Sequence, residues 1–344
     1  VLLLAASVTF SRRFQQMYGR IWDGYEALVV ETVFSFCELP FSERITHFKR
    51  FASGGRLFRN ELVTLNLGAR IHSPQELLDA QIRISNRTFD FIVGDDHFMD
   101  EFMEFSSVEE PRARLEQVVL DQRDKDRIRS VVQRHDHYLE CRRSWGFDDI
   151  ISYGKGVLML FYGKPGTGKT MMAHAVAHEM GMRVLNVDIP TFINHYDAQR
   201  FLPGLFREAK MQNAVLFFDE CEALFATRTS GNPLMTMLLT EIERFEGVAI
   251  LATNLPQQLD EALDRRILVR VNFPEPDLSA RRAIWEKHLP EAAPIADDVD
   301  LAALAEQFEM TGGYIKNAVL MSVADAVHRG GDNPQITMEA LETA

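Results

Sequence analysis

The second half of the chain alternates short apolar runs with segments of helical pattern. The first run is Val157 to Tyr162, and four more follow at 183–187, 214–218, 248–251 and 268–273. Continuous apolar runs of this length are typical of strands that are buried on both faces. Alternation with helices predicts an α/β fold with a doubly wound, parallel, five-stranded sheet. Ligands of such sheets bind beyond the carboxyl ends of the strands.

The first 110 residues are rich in Phe and mostly helical in pattern. Helical spacing runs from 12 to 36, and a second helix is expected over 42–51, before Gly54-Gly55. A short strand pair or helix–strand corner is expected over 57–67. Ser73-Pro74 predicts a helix start, because Ser is a common cap and Pro suits the first helical position. A further short helix should end near Gly94. Two alternatives remain open, a winged-helix-like module and an unclassified α/β adaptor domain.

Composition narrows the choice of partners. The 344 residues carry a net charge of −13, and residues 1–110 contain 11 Lys and Arg against 16 Asp and Glu. An acidic module repels the phosphate backbone, so nucleic acid is disfavoured and a protein partner is expected. No run reaches the ~18 apolar residues that would span a bilayer. The opening run 1–6 favours an amphipathic helix over the end of a trimmed signal.

The cysteines and the charged stretches indicate compartment and domain boundaries. Cys37, Cys141 and Cys221 are odd in number and far apart, which favours a reducing compartment, the cytoplasm. An acidic stretch over about 96–115 predicts a linker. We therefore expect an N-terminal domain over 1–110 and a charged helical connector over 111–145.

The stretch that follows the first apolar run has a glycine-rich pattern. It reads Gly163-Lys164-Pro165-Gly166-Thr167-Gly168-Lys169-Thr170, which matches G-x-x-x-x-G-K-[ST] at every position. Glycines let successive backbone N–H groups turn inward around a phosphate, and the helix that begins here points its positive end at the same anion. Lys169 would contact the β and γ oxygens, and the Thr170 hydroxyl suits Mg²⁺. A strand before and a helix after this stretch predict a nucleotide site.

Polar residues end two of the later runs. Asp219 and Glu220 follow the third run, and Asn254 follows the fourth. Asp219 would hold Mg²⁺ opposite Thr170, and Glu220 would orient and deprotonate the attacking water. Asn254 would fix either that water or the γ-phosphate. Arg265 and Arg266 precede the fifth run, and a guanidinium suits the charge that develops on a transferring phosphoryl group.

Together these motifs resemble those of the AAA+ ATPases, in particular the AAA subgroup with a second region of homology. The resemblance covers about residues 115–344 and rests on 163–170, 216–220, 251–254 and 259–266. It implies a P-loop NTPase core over 146–276, a helical lid over 277–344, ATP and Mg²⁺ as ligands, and ring hexamers. Arg265 and Arg266 would act in the active site of a neighbouring copy. Within the family, the sequence most resembles stand-alone bacterial members that have an N-terminal adaptor region.

Two segments carry the resemblance less completely. Thr311-Gly312-Gly313 resembles the start of the nucleotide-sensing lid helix, in which Lys316 would face the phosphates; the alternative is a surface lysine. Asn194 to Ala198 stands where polypeptide-threading members carry a loop with a basic residue, an aromatic residue and Gly. Here Tyr196 could be the aromatic residue, but the Gly is absent and Asp197 follows. We expect an ATPase that remodels a protein partner. The alternatives are a nucleotide-gated assembly factor and, less favoured, an ATPase that handles DNA through the N-terminal module.

Overall fold

The computed structural model describes residues 5, 11–21, 28–38, 40, 42–44, 47, 51, 62–66, 74–84, 88, 92, 102–151, 154, 156–226, 233–259, 261–329 and 334–344. The chain divides into two compact units, Val1–Asp100 and Glu101–Ala344. The second unit therefore begins before the boundary at residue 110 that composition predicts.

The first unit combines short helices with a two-stranded antiparallel ribbon. Its elements are α1 (Arg12–Ile21), α2 (Val30–Phe36), β1 (Val63–Asn66), α3 (Pro74–Leu78) and β2 (Gln81–Ile84). The helical pattern over 12–36 is interrupted, because Leu28 and Val29 are extended and pair beside β2. Strand β1 lies within the predicted ribbon. The predicted cap Ser73 and the predicted stops at Gly54-Gly55 and Gly94 lie outside the described residues.

The main sheet of the second unit has six strands. They are β3 (Ser106–Glu109), β4 (Val157–Gly163), β5 (Arg183–Asp188), β6 (Ala214–Asp219), β7 (Val248–Thr253) and β8 (Val269–Phe273). The spatial order is β3-β5-β6-β7-β4-β8, and β4 to β8 are mutually parallel. These are the five strands that the apolar runs predict.

The edge strand β3 corrects the expectation of a linker over 96–115. Ser106–Glu109 pairs antiparallel with β5. Phe102 and Phe105, which precede it, are buried against Phe192 and Phe201. Acidic side chains do not prevent strand formation here, since an edge strand tolerates charge.

Helices cover the sheet and separate the strands. Before β4 lie α4 (Gln122–Val132), α5 (His135–Ser144) and α6 (Phe147–Ile150), and between the later strands lie α7 (Lys169–Met180), α8 (Ile189–Asn194), α9 (Ala198–Met211), α10 (Glu222–Ala226), α11 (Pro233–Arg244) and α12 (Glu261–Asp264). The predicted connector is more than a spacer. Leu115, Val118, Ile128 and Val132 join the buried core that packs under β4 and α7.

The last part of the second unit is a helical subdomain with its own core. It contains α13 (Leu278–His288), α14 (Leu301–Gln307), α15 (Gly312–Arg329) and α16 (Met338–Thr343). Trp285, Leu304 and Ile315 are fully buried at its centre. Arg281 donates to Ala305 O and to Pro276 O, which ties α13 to α14 and to the segment after β8. No helix among the described residues is long and apolar enough to cross a bilayer.

Candidate active site

The glycine-rich stretch forms the turn between β4 and α7. β4 ends at Gly163 and α7 begins at Lys169, with Gly168 as its N-cap at φ 104°. Gly163 has φ 145°, and a Cβ there would lie 2.1 Å from Phe273 O on β8. Both positions therefore require glycine, because a side chain would be strained at one and would clash at the other.

Lys169 is buried where the loop meets the carboxyl end of β7. Its Nζ donates to Gly163 O at 2.8 Å, to Lys164 O at 2.9 Å and to Asn254 Oδ1 at 2.8 Å. Burial lowers the pKa of Lys169, and the charges of Asp219 and Glu222 partly offset this. The ammonium is thus held in a largely desolvated position beside the loop.

Asp219, the last residue of β6, lies next to the start of α7. Thr170 Oγ1 donates to Asp219 Oδ2 at 3.3 Å, and the Glu220 backbone N–H donates to Asp219 Oδ1 at 3.0 Å. Burial raises the pKa of Asp219, and these hydrogen bonds and Lys169 oppose the rise. A carboxylate and a hydroxyl at this spacing offer hard oxygen atoms of the kind that Mg²⁺ prefers.

Glu220 is exposed immediately beyond the strand end. Its φ of 55° is left-handed, a conformation that few residues other than Gly adopt and that is enriched at functional sites. Desolvation raises the pKa of Glu220 first, and the negative charges of Asp219, Glu222 and Asp188 raise it further. The Glu220 carboxyl group is therefore open to solvent and lies among other negatively charged side chains.

Asn254 is held by Glu222, which the sequence analysis did not single out. Asn254 Nδ2 donates to Glu222 Oε1 at 2.6 Å, and Asn254 N donates to Glu222 Oε2 at 3.3 Å. Glu222 is the first residue of α10, two positions after Glu220. An acid in the first turn of a helix is usually a dipole partner, so sequence alone gave no reason to select it.

Arg265 and Arg266 lie at the opposite end of the strands. They follow α12 and precede β8, and Leu268 N donates to Leu158 O near the start of β4. The register pairs Met159 with Val269 and Gly163 with Phe273. Four residues of strand, ~13 Å at 3.3 Å per residue, thus separate the glycine loop from the start of β8. The two arginines are not brought together with Lys169 within one chain.

The two arginines differ in their surroundings. Arg266 donates through Nε to Glu243 Oε1 at 3.0 Å, and its other nitrogens contact Glu243 and Ala262 O. Only 15% of its side chain is exposed. Arg265 is exposed, and no side-chain partner for it is found in the part of the chain that the structure describes.

The helical subdomain closes one side of the loop. Gly313 N donates to Gly166 O at 2.9 Å, and a Cβ on Gly166 would lie 2.7 Å from Thr311 Oγ1. A cavity of about 270 Å³ lies between the loop and α13 and α15. Its lining includes Gly168, Lys169, Thr170, Val119, Ile284 and Lys316. Pro165 and Thr167 belong to the loop itself, and Lys164 forms an ion pair with Glu275 at 2.6 Å.

Tyr196 is the most exposed large aromatic residue among those described, with 89% of its surface accessible. It lies in the three-residue connection between α8 and α9 and stacks on His195, with ring centroids 4.8 Å apart. His195 packs in turn on Phe105 and Phe201. The connection is short and anchored, and it presents one aromatic side chain to solvent.

Comparison with family models agrees with this geometry. Residues 159–275 match the model of the ATPase family associated with various cellular activities (AAA), and residues 1–106 match that of a winged helix domain, variant. Of the two alternatives for the N-terminal part, the winged-helix-like module is therefore confirmed.

Curated relatives and a solved structure extend the similarity. The chain is 31% identical over 253 residues to the cell division cycle protein 48 homolog of Archaeoglobus fulgidus, which covers 69% of this chain and 33% of that protein. It is 34% identical over 209 residues to an AAA ATPase forming ring-shaped complexes of Micrococcus luteus, which covers 53% and 35%. This chain thus spans about a third of the length of these relatives. A structure described as "Structural Basis for Katanin Self-Assembly" shares the fold, with a TM-score of 0.54 and 21% sequence identity. The match covers 72% of this chain and 90% of that chain.

Proposed function

The chain carries an AAA ATPase domain behind a winged helix domain, and on that premise we propose that it is a Mg²⁺-dependent ATP hydrolase that remodels a protein partner as an oligomeric ring. One observation carries the proposal. Lys169, Asp219 and Asn254, from the ends of three different elements, meet beside the glycine loop and are joined by hydrogen bonds with Thr170 and Glu222.

Each residue has a defined part in hydrolysis. The backbone N–H groups of the loop over 163–168, except Pro165, which has none, and the Lys169 ammonium bind the triphosphate. Lys316 contributes a second cation from the helical subdomain. Glu220 accepts a proton from the attacking water, which Asn254 holds in place. Thr170 and Asp219 would hold Mg²⁺, which supplies positive charge to the phosphate oxygens.

In addition to Lys169, Lys316 and Mg²⁺, the transferring phosphate needs a guanidinium, and this comes from a second copy of the chain. Arg265 and Arg266 lie at the far end of the strands from their own Lys169, as the register of β4 and β8 requires. In a ring, this far end of one subunit faces the loop of the next. We propose a homo-hexamer, in line with the relatives that are named for ring-shaped complexes.

The partner is a protein of unknown identity. The first unit, Val1–Asp100, has no excess of basic residues, with 12 Asp and Glu against 11 Lys and Arg, which disfavours binding to the phosphate backbone of nucleic acid. Tyr196 is the candidate contact to the partner from the ATPase domain. Cys37, Cys141 and Cys221 are all free thiols, which fits a reducing compartment such as the cytoplasm.

The Glu220→Gln variant tests the proposal. It should bind ATP as the wild type does, hydrolyse it at least ~100-fold more slowly, and hold the ring in its ATP-bound state with the partner attached. Phosphate release, ATP titration and affinity capture measure these three properties, with the exposed Glu306→Gln as the matched control. Wild-type turnover in Glu220→Gln would remove Glu220 from the role of base. A wild-type protein that releases no phosphate in any assembly state would end the proposal.

A nucleotide-gated assembly factor is the second candidate, and the Tyr196 connection favours it. The connection is three residues long, lacks Gly, and is fixed by the packing of His195, whereas a loop that pulls a polypeptide has to move with the nucleotide state. Tyr196→Ala separates the two. Loss of partner remodelling with ATPase activity retained supports gripping of the partner. If Tyr196→Ala remodels the partner fully, gripping by Tyr196 is excluded and the assembly factor is the favoured function.

A further inference from the structure

Glu222 and Lys169 bind the two ends of the Asn254 side-chain amide. A carboxylate can only accept hydrogen bonds, and a lysine ammonium can only donate them. Asn254 lies between one of each, with Nδ2 2.6 Å from Glu222 Oε1 and Oδ1 2.8 Å from Lys169 Nζ. The orientation of the amide therefore follows from its two partners.

The second contact of Glu222 fixes its carboxylate beside the Asn254 side chain. Glu222 Oε2 accepts from the backbone N of Asn254 at 3.3 Å, so the carboxylate grips the residue at two points. Because Glu222 is partly buried and begins α10, which is anchored by hydrogen bonds to Cys221 and Glu220, its own position is defined. A reversed amide would place Oδ1 against a carboxylate, and two acceptors repel each other.

This orientation has a chemical consequence for the reaction proposed above, on which the inference rests. Oδ1 is an acceptor, whereas the oxygens of a γ-phosphate carry negative charge and need donors. Water can donate to Oδ1. We infer that Glu222 is a positioning residue that makes Asn254 bind the attacking water through Oδ1 and not the γ-phosphate through Nδ2. Once phosphate oxygens attract the Lys169 ammonium, Oδ1 accepts from that water.

The inference separates binding from turnover. In Glu222→Ala with nucleotide bound, Asn254 keeps its place in the chain, but its Nδ2 has lost the acceptor that fixes the amide orientation. Losing a hydrogen bond to a charged group costs about 1.5–3 kcal/mol, so kcat should fall about 10- to 100-fold. Affinities for ADP and for a non-hydrolysable ATP analogue should both stay within about twofold of the wild type, because no phosphate contact is lost. Steady-state kinetics and calorimetric titration of both nucleotides, with Mg²⁺ present, measure this split.

Two further variants exclude a merely structural role. Glu222→Gln keeps one acceptor for Nδ2 and should recover part of the lost kcat, and it serves if Glu222→Ala fails to fold. Glu339→Ala removes an exposed acid from the first turn of another short helix and should change nothing. If Glu222→Ala weakens the ATP analogue but not ADP, Asn254 holds the γ-phosphate and the inference is wrong. The inference is also wrong if Glu222→Ala has the same kcat as an active wild type. A wild-type protein without ATPase activity would instead contradict the proposed function.

Discussion

The two ends of the parallel sheet differ in how complete their chemistry is. At the carboxyl end, Lys169, Asp219 and Asn254 already contact one another or their neighbours through hydrogen bonds. At the amino end, Arg265 is exposed and Arg266 is tied to Glu243. One end is thus a preorganised cluster, and the other carries a cation, Arg265, without a side-chain partner among the described residues.

This difference teaches how hydrolysis can be made dependent on assembly. In the proposed mechanism, one chain fixes the groups that bind and orient the nucleotide, so each subunit binds ATP alone. The group that neutralises charge in the transition state is supplied from the far end of a neighbour's sheet. The proposed hydrolysis therefore depends on the presence and alignment of that neighbour.

The largest expected effect comes from removing the unpaired cation. Arg265→Ala should lower kcat by about 10³-fold or more, because an arginine finger contributes 10³–10⁵ to phosphoryl transfer elsewhere. ATP affinity and the melting temperature should be unchanged, since Arg265 makes no described side-chain contact in its own chain. Phosphate release, nucleotide titration and thermal unfolding are the measurements. Full-rate hydrolysis by Arg265→Ala would refute its role.

A mixing experiment tests whether the cation acts in a neighbour. Arg265→Ala and Glu220→Gln subunits should each be inactive alone, but a mixed ring contains interfaces where an intact Glu220 meets an intact Arg265. A random equimolar mixture of a head-to-tail ring gives such interfaces at about a quarter of the sites. Recovery of activity on mixing would support action between subunits. No recovery from rings shown to be mixed would contradict it.

Arg266→Ala is the variant to compare with Arg265→Ala. Arg266 is bonded to Glu243 and Ala262 O, so its removal should lower the melting temperature as well as the activity. Glu243→Gln should reproduce the loss of stability while leaving Arg265 in place. If Arg266→Ala keeps full stability and loses as much activity as Arg265→Ala, both arginines act on the neighbour's nucleotide.

Much of the preorganised end could be predicted from sequence. A strand, a glycine loop and a helix follow one another locally, and Asp219 and Asn254 come directly after apolar runs, so their convergence follows from the rule for parallel sheets. The same reasoning gave the five parallel strands. These predictions depend only on short stretches of chain and on one rule of topology.

The remaining features depend on contacts between distant residues. Glu222 reaches Asn254 across 32 positions, and no local pattern distinguishes it from an ordinary first-turn acid. Strand β3 lies in an acidic stretch whose composition indicated a linker, and its pairing with β5 is decided by the burial of Phe102 and Phe105. The difference between Arg265 and Arg266 is set by Glu243, on a separate helix.

The smallest expected effect concerns the stability of the preorganised end without ligands. Burial raises the pKa of Asp219 above its unfolded value, so the folded state binds that proton more tightly than the unfolded state does. The charged carboxylate therefore costs stability at neutral pH, and this cost disappears as the pH falls through the raised pKa and then the unfolded one.

Asp219→Asn should thus melt a few degrees higher than the wild type at pH 7 with EDTA and no nucleotide, although it is expected to be inactive. The advantage should shrink as the pH is lowered into the range where Asp219 becomes protonated. Thermal unfolding of both proteins from pH 7 to pH 4 measures it, with the exposed Asp297→Asn as a control on the helical subdomain. If the wild type is instead the more stable protein at pH 7, the hydrogen bonds from Thr170 and Glu220 outweigh the cost of burial. The Asp219 carboxylate would then stabilise the carboxyl end of the sheet.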